Sequence, residues 1–241
     1  MKTIHAGTIS TVTALFRGIA LVVPTYFKFD LNRPIIMLVF NIVSEDRSSD
    51  WLASILAVFT KYNVPATVFV TGRFASSHPE WIDALAENID AGSLTYSYVS
   101  ITSITDYLLQ LEEVKKGKKG VAIAGNLGSR LFRAPFGDTD DNIYSLLNHS
   151  GIYADCSYAD HYNKFYNRQF IKFEKDSFDG SKYSAENFLS IETRGPFMIF
   201  YNDIAHVEKI DNFIFTLKSA RCSFVNASGI TGLSLTARQK T

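Results

Sequence analysis

The feature that most constrains the fold is a repeated change of hydrophobic period. Ile35 to Phe40 is an unbroken apolar, β-favouring run behind Pro34, the pattern of a strand buried on both faces. From Asp50 the spacing becomes helical, at Trp51, Leu52, Ile55, Leu56 and Phe59, with Asp50 as N-cap and Pro65 marking the exit. Ala66 to Val70 reads as the second strand. A helix then starts at Pro79, carries Trp81, Ile82, Leu85 and Ile89, and ends near Gly92, before a strand over Leu94 to Val99. Ile104, Tyr107, Leu108, Leu111 and Val114 trace another helix, closed by the basic Lys115 to Lys119 stretch as a solvated turn. Short apolar pieces follow at Val121 to Ala124 and Leu131 to Phe132, then a helix from about Asp140 to Asn148 ending at Gly151. Ile152 to Ser157, Phe170 to Phe173, Phe197 to Tyr201 and Cys222 to Val225 read as strands, with a helix over Ile204 to Lys218, and Asp160 to Arg194 as a loop-rich region. This alternation predicts an α/β fold, a mostly parallel sheet or a single (β/α) barrel. In such folds functional groups gather at the C-terminal ends of the strands, which here means Asn41, Thr71, Tyr98, Arg133 and Asn202.

Length and charge narrow the function. The 241 residues fit one large domain, and 24 basic residues against 24 acidic ones leave no net charge. A chain without basic excess lacks what a phosphate-backbone binder needs, so no nucleic-acid partner is expected. The most apolar stretches, Gly18 to Val23 and Pro34 to Phe40, are too short to cross a bilayer. Cys156 and Cys222 form no metal or redox motif, although one bridge between them is possible. Asn148-His149-Ser150 and Asn226-Ala227-Ser228 match the N-glycosylation triplet, meaningful only in a secretory compartment.

Five segments at the strand ends carry a resemblance. Tyr62 to Gly72 reads YNVPATVFVTG, and Val39-Phe40-Asn41-Ile42-Val43 stands where a T-F-D-D-G motif would. Leu94-Thr95-Tyr96-Ser97-Tyr98 keeps the interior of H-T-Y-S-H, Arg133-Ala134-Pro135-Phe136-Gly137 matches R-x-P-Y-G, and Phe200-Tyr201-Asn202-Asp203 takes the place of L-H-D. In this order the segments resemble the NodB-homology polysaccharide deacetylases, carbohydrate esterase family 4, which includes chitin and peptidoglycan deacetylases. The match spans about Pro34 to Gly229. The resemblance implies a distorted, TIM-barrel-like fold over 34–230, an N-terminal extension over 1–33 packed on it, and a C-terminal tail over 231–241.

The resemblance also implies roles, residue by residue. Relatives bind zinc or another divalent metal through the second aspartate of the first motif and the two histidines. Those positions read Ile42, Leu94 and Tyr98 here; isoleucine and leucine donate no ligand atom, and tyrosine alone does not hold the ion. The family's base is Asn41 and its acid is Asn202, neither able to exchange a proton near neutral pH. Arg133 is retained without its carboxylate partner, leaving Asp138 or Asp203 as candidates. The supporting aspartate of the fourth motif has two registers, Asp179 in Asp176-Ser177-Phe178-Asp179-Gly180 or Asp155 in Gly151 to Ser157.

Tyr96, Tyr98, Pro135, Phe136, Gly137 and Tyr201 are candidates to line a groove, because the family places them around its cleft. Trp51 and Trp81 open helices on apolar faces and read as core. A rebuilt metal site could draw on His161 or His206, but neither has metal-motif spacing. The implied protein is a noncatalytic relative without cofactor, outside the cell or in its wall, that binds or structures a chitin-like cell- or spore-wall polysaccharide. The alternative is an active metal-dependent N-deacetylase with an unconventional ligand set; a protein-interaction role has no positive signal.

Overall fold

A computed structural model of the chain describes residues 35–43, 49–123, 130–140, 142–157, 178–179, 184–189, 196–202 and 207–231. Strand β1 (Ile35–Ile42) is its axis and pairs along Ile35 to Asn41 with β7 (Pro196–Asn202). A strand has only two edges, so β2 (Ala66–Val70), which meets Val39 to Ile42, and β8 (Ser223–Val225), which meets Ile35 to Met37, share the other. The sheet continues from β2 through β3 (Ile89–Ser93) and β4 (Leu131–Phe132) to β5 (Ala154–Asp155), and from β7 to β6 (Phe178–Asp179). Every one of these ladders is parallel, which demands a crossover between successive strands. Helices α1 (Ser49–Tyr62), α2 (Gly72–Ser77), α3 (Pro79–Asp83), α4 (Tyr107–Ile123), α5 (Ile143–His149), α6 (Ala185–Leu189) and α7 (Val207–Ser219) lie in those crossovers, and α8 (Ala227–Thr231) follows β8. The product is a distorted (β/α) barrel, one of the two architectures the alternation of period predicts and the one the resemblance implies.

Parity along β1 sorts the core into layers. Ile36, Leu38, Phe40 and Ile42 face the helices and pack with Val58 and Phe59 of α1 and Ile214 and Leu217 of α7. Met37 and Val39 face the interior, with Phe69, Leu131, Ala154 and Cys156. A Cβ on Gly92 would stand 2.5 Å from Phe69 Cδ1, so the glycine is what allows that ring to cross the interior. A third cluster joins Val114 of α4 and Phe132 of β4 to Ile143, Leu146 and Leu147 of α5.

β8 and α8 close the N-terminal end of the barrel. Val225 and Ala227 join the interior cluster, the Ala227 amide donates to Thr67 Oγ1 at 2.9 Å, and Asn226 Nδ2 donates to Asn88 O at 3.1 Å. Ser228 donates to the buried Asp90 of β3 through its amide, 2.7 Å, and its hydroxyl, 2.9 Å. Loss of water pushes the Asp90 carboxyl up to about 6, against the pull of both Ser228 donors.

Local spacing misleads in several places. Lys115 to Lys119 is not a solvated turn but the body of α4, which continues through the short apolar piece at Val121 to end at Ile123. Gly117 and Gly120 are buried against neighbouring backbone, while Lys115, Lys116 and Lys119 reach solvent. The helix predicted from Pro79 to Gly92 ends at Asp83, because Ile89 to Ser93 pairs with Ala66 to Val70 and this pairing outweighs helical spacing. β3 therefore stops before Leu94, and the strand predicted over Leu94 to Val99 is instead a loop with left-handed Thr95 and Tyr98, φ +70° and +60°. β5 is two residues long rather than Ile152 to Ser157, and α1 starts at Ser49, which puts Asp50 in its first turn. The predicted loop region contains β6 and α6. The extension over 1–33, the tail beyond Thr231 and the predicted strand Phe170 to Phe173 lie outside the described residues. Cys156 and Cys222 are free thiols.

Candidate functional site

The loop after β3 is held from both sides. At the start of α2 the amides of Gly72 and Arg73, which have no intrahelical acceptor, donate to the carbonyls of Thr95 at 2.9 Å and Tyr96 at 3.1 Å. Thr71, at the end of β2, is consumed as the cap of the same helix, its Oγ1 accepting from the Phe74 amide at 3.0 Å. From α4 the Glu113 carboxylate accepts from the amides of Tyr96 and Ser97, both at 3.1 Å, and from Ser97 Oγ at 2.9 Å. These bonds fix a segment in which two residues with side chains hold positive φ, a conformation with a steric cost. Glu113 carries no motif, and nothing in the sequence singles it out; its role emerges only once α4 lies beside the loop.

Arg133, at the end of β4, is 1% exposed, and its Nη1 donates to the Cys156 carbonyl at 2.6 Å. Its charge acts on Asp155, which stands opposite Phe132 in the β4–β5 ladder. Burial raises the Asp155 carboxyl, against the Ser157 hydroxyl and amide donors and the Arg133 guanidinium. Ser157 Oγ in turn accepts from the Ala134 amide at 2.7 Å, which ties β5 to the Arg133 segment. Burial, reinforced by the Asp155 charge, also pushes the Cys156 thiol far up, away from nucleophilic use.

Asn41 is 3% exposed and follows Met37 and Val39 on the interior face of β1. Its register partner on β7 is Asn202, and Tyr201 stands opposite Phe40. Ile42 turns to the other side, 2% exposed in the helix-facing layer, whereas Leu94, fully buried, lies in the interior cluster with Tyr98 against it. Ile42 therefore packs in a different cluster from the other two ligand-position residues, and Val43 packs with the cluster of Leu94 and Tyr98. Among the described residues no three His, Cys, Asp or Glu side chains approach closely enough to hold a metal ion. His161, His206, Asp176 and Asp203 lie outside the described residues. Asp179 is on β6, opposite Phe200, so the two registers of the fourth motif fall on different strands, and Asp155 is the one beside Arg133.

An aromatic lip joins the ends of β3 and β4. The Tyr98 and Phe136 rings are tilted at 54° with centroids 4.9 Å apart, and Phe136 is 66% exposed. Pro135 is buried beneath, while Phe136 and Gly137 take φ +60° and +70°. Asp138 receives the Ser100 and Thr102 hydroxyls on Oδ2, and these two donors hold its carboxyl below the usual range. Tyr96 points toward α2 and α4, with Arg73 Cζ 5.7 Å and Lys116 Nζ 5.9 Å from its ring centroid. Trp81 is core, edge-on to Phe74 with centroids 5.8 Å apart. No helix among the described residues is long and apolar enough to cross a membrane.

Residues 28–154, more than half of the chain, match the model of a family described as polysaccharide deacetylase. Solved structures share the fold. BA3943 from Bacillus anthracis, described as a CE4 family pseudoenzyme, aligns with a TM-score of 0.62 at 16% identity over 83% of this chain and 66% of its own, slightly under two thirds of its length. A mutant of it is described as having restored enzymatic activity. The peptidoglycan deacetylase PdaC from Bacillus subtilis aligns with a TM-score of 0.63 at 18% identity, over 84% of this chain and 92% of its own. A family 4 carbohydrate esterase from Streptomyces lividans gives 0.59 at 18%, over 80% and 92%.

Proposed function

Because this chain belongs to the polysaccharide deacetylase family, we propose that it is a noncatalytic member that binds or organises a chitin-like wall polysaccharide outside the cell. The observation that carries this reading is the chemistry of the strand ends. The positions of base and acid are the neutral amides Asn41 and Asn202, aligned in one ladder. The residues present do not fit a divalent ion, since Ile42 and Leu94 offer no donor and lie in different packing layers. The left-handed loop, the buried Arg133 and the exposed aromatic lip at the strand ends support the binding part of the reading. The description of BA3943 as a pseudoenzyme of similar fold agrees with a barrel that persists after its chemistry has gone.

The test has two arms. Protein purified without chelator or metal-affinity resin is analysed for metal and assayed for acetate release from chitin oligomers and peptidoglycan, with and without added zinc. The expected result is no stoichiometric metal and no acetate; bound zinc with chelator-sensitive acetate release overturns the noncatalytic reading. Cosedimentation with insoluble chitin and with isolated wall polymer addresses binding, and failure to bind either one overturns that part.

A further inference from the structure

We infer that the lip formed by Tyr98, Phe136 and Asp138 takes hexosamine units that carry a free amino group, as in deacetylated chitin-type glycans, in preference to their N-acetylated counterparts. This rests on the glycan-binding reading above and names the class of sugar. The lip is built before any ligand arrives. Its two segments, one after β3 and one after β4, are joined by the Tyr98–Phe136 ring contact and by the bonds from Ser100 and Thr102 to Asp138. Phe136 leaves much of its ring in water, and the apolar C–H face of a pyranose covers such a ring while its hydroxyls stay wet.

Asp138 gives the lip its charge. Both hydroxyls converge on Oδ2, so Oδ1 of this half-buried carboxylate keeps its accepting capacity with no partner among the described residues. The two donors also keep the group ionised. Asp138 follows Phe136 by two residues, at most about 7 Å of chain, so a substituent of a sugar stacked on the ring lies within reach of the carboxylate. An ammonium offers a charge-assisted hydrogen bond there, whereas an acetamide offers only a neutral donor and a carbonyl that the carboxylate repels.

Calorimetric titration of the full chain with glucosamine and N-acetylglucosamine oligomers of equal length, in mildly acidic buffer where the amines are charged, tests the inference. The amino oligomer is expected to bind more tightly by roughly threefold or more, the scale of one exposed charge pair. D138N is expected to abolish that preference while retaining the affinity for the acetylated oligomer, and F136A to weaken both; circular dichroism checks that each variant folds. Equal affinity for the two oligomers, or a preference that survives D138N, overturns the inference and leaves the glycan-binding reading standing. Competition by polylysine as effective as by the amino oligomer also overturns it, since the lip then reads charge without sugar. Binding of neither oligomer overturns both.

Discussion

Asn41 of β1 and Asn202 of β7 are register partners at the C-terminal end of the parallel ladder, two neutral amides at adjacent positions of the strand ends. Asn41 is buried on the interior face above Met37 and Val39. An amide there has no ionisation to lose on burial, whereas a carboxylate does. The substitution N41D is therefore expected to restore no acetate release. It should destabilise the fold by about 1 to 3 kcal/mol at neutral pH, with the penalty shrinking as acid protonates the raised carboxyl. Urea unfolding across that range reads the effect, and a variant as stable as the parent in mild alkali would show that the introduced carboxylate finds a cationic partner.

Glu113 is the residue on which the loop after β3 depends from the helix side. Its carboxylate accepts the Tyr96 and Ser97 amides and the Ser97 hydroxyl, three bonds to a segment that holds Thr95 and Tyr98 at positive φ. E113A removes all three bonds and is expected to cost about 1 to 3 kcal/mol and to speed hydrogen exchange at Tyr96 and Ser97 selectively. E113Q retains one side-chain carbonyl and should give a smaller change. Unaltered exchange at these amides in E113A would mean that the α2 contacts alone fix the loop.

The alternation of strands and helices was readable because it depends on nearest neighbours in sequence. Ile35 to Phe40 is apolar on both parities, as a central parallel strand must be, and Ala66 to Val70 is a second β-favouring run. What escaped local reading depended on distant partners. Ile89 keeps helical spacing from Leu85 but belongs to a strand, since β2 offers its edge. Lys115 to Lys119 looks like a charged turn until Gly72 and Thr95 are seen against Gly117 and Gly120. The candidate site divides the same way. Motif spacing singled out Asn41, Arg133 and Phe136, but the packing of Ile42 and Leu94 in different clusters, the action of the Arg133 charge on Asp155 and the tie from Glu113 follow from tertiary packing.

Gly117 and Gly120 offer a second way to disturb that loop. A Cβ on Gly117 would stand 2.5 Å from the Thr95 carbonyl oxygen, and one on Gly120 the same distance from the Gly72 carbonyl oxygen. Both obstacles are backbone, which cannot rotate aside as a side chain would. Alanine improves helix propensity by about 1 kcal/mol relative to glycine, so an exposed site would gain from the change. Here overpacking is expected to win, with G117A and G120A each destabilising by about 1 to 3 kcal/mol net. A thermal midpoint raised in either variant would show that α4 can retreat from the loop without loss.

Asp90 gives the opposite end of the barrel a pH dependence of definite sign. The unfolded chain releases this proton near 3.8 and the folded chain near 6, because β8 and α8 exclude water from the carboxyl while Ser228 only partly compensates. Between those values the folded state holds more protons, so stability tied to Asp90 is complete below 3.8 and is lost as pH rises through about 6. The full span corresponds to something on the order of 2 to 3 kcal/mol. D90N keeps a carbonyl to accept the Ser228 amide but cannot ionise. Its unfolding free energy, measured by urea over this window, is expected to gain on the parent as pH rises, with the gain levelling off above the folded-state value. Parallel curves for the two proteins would mean that the carboxyl stays hydrated beneath α8 and that the seal formed by Ala227 and Ser228 opens in solution.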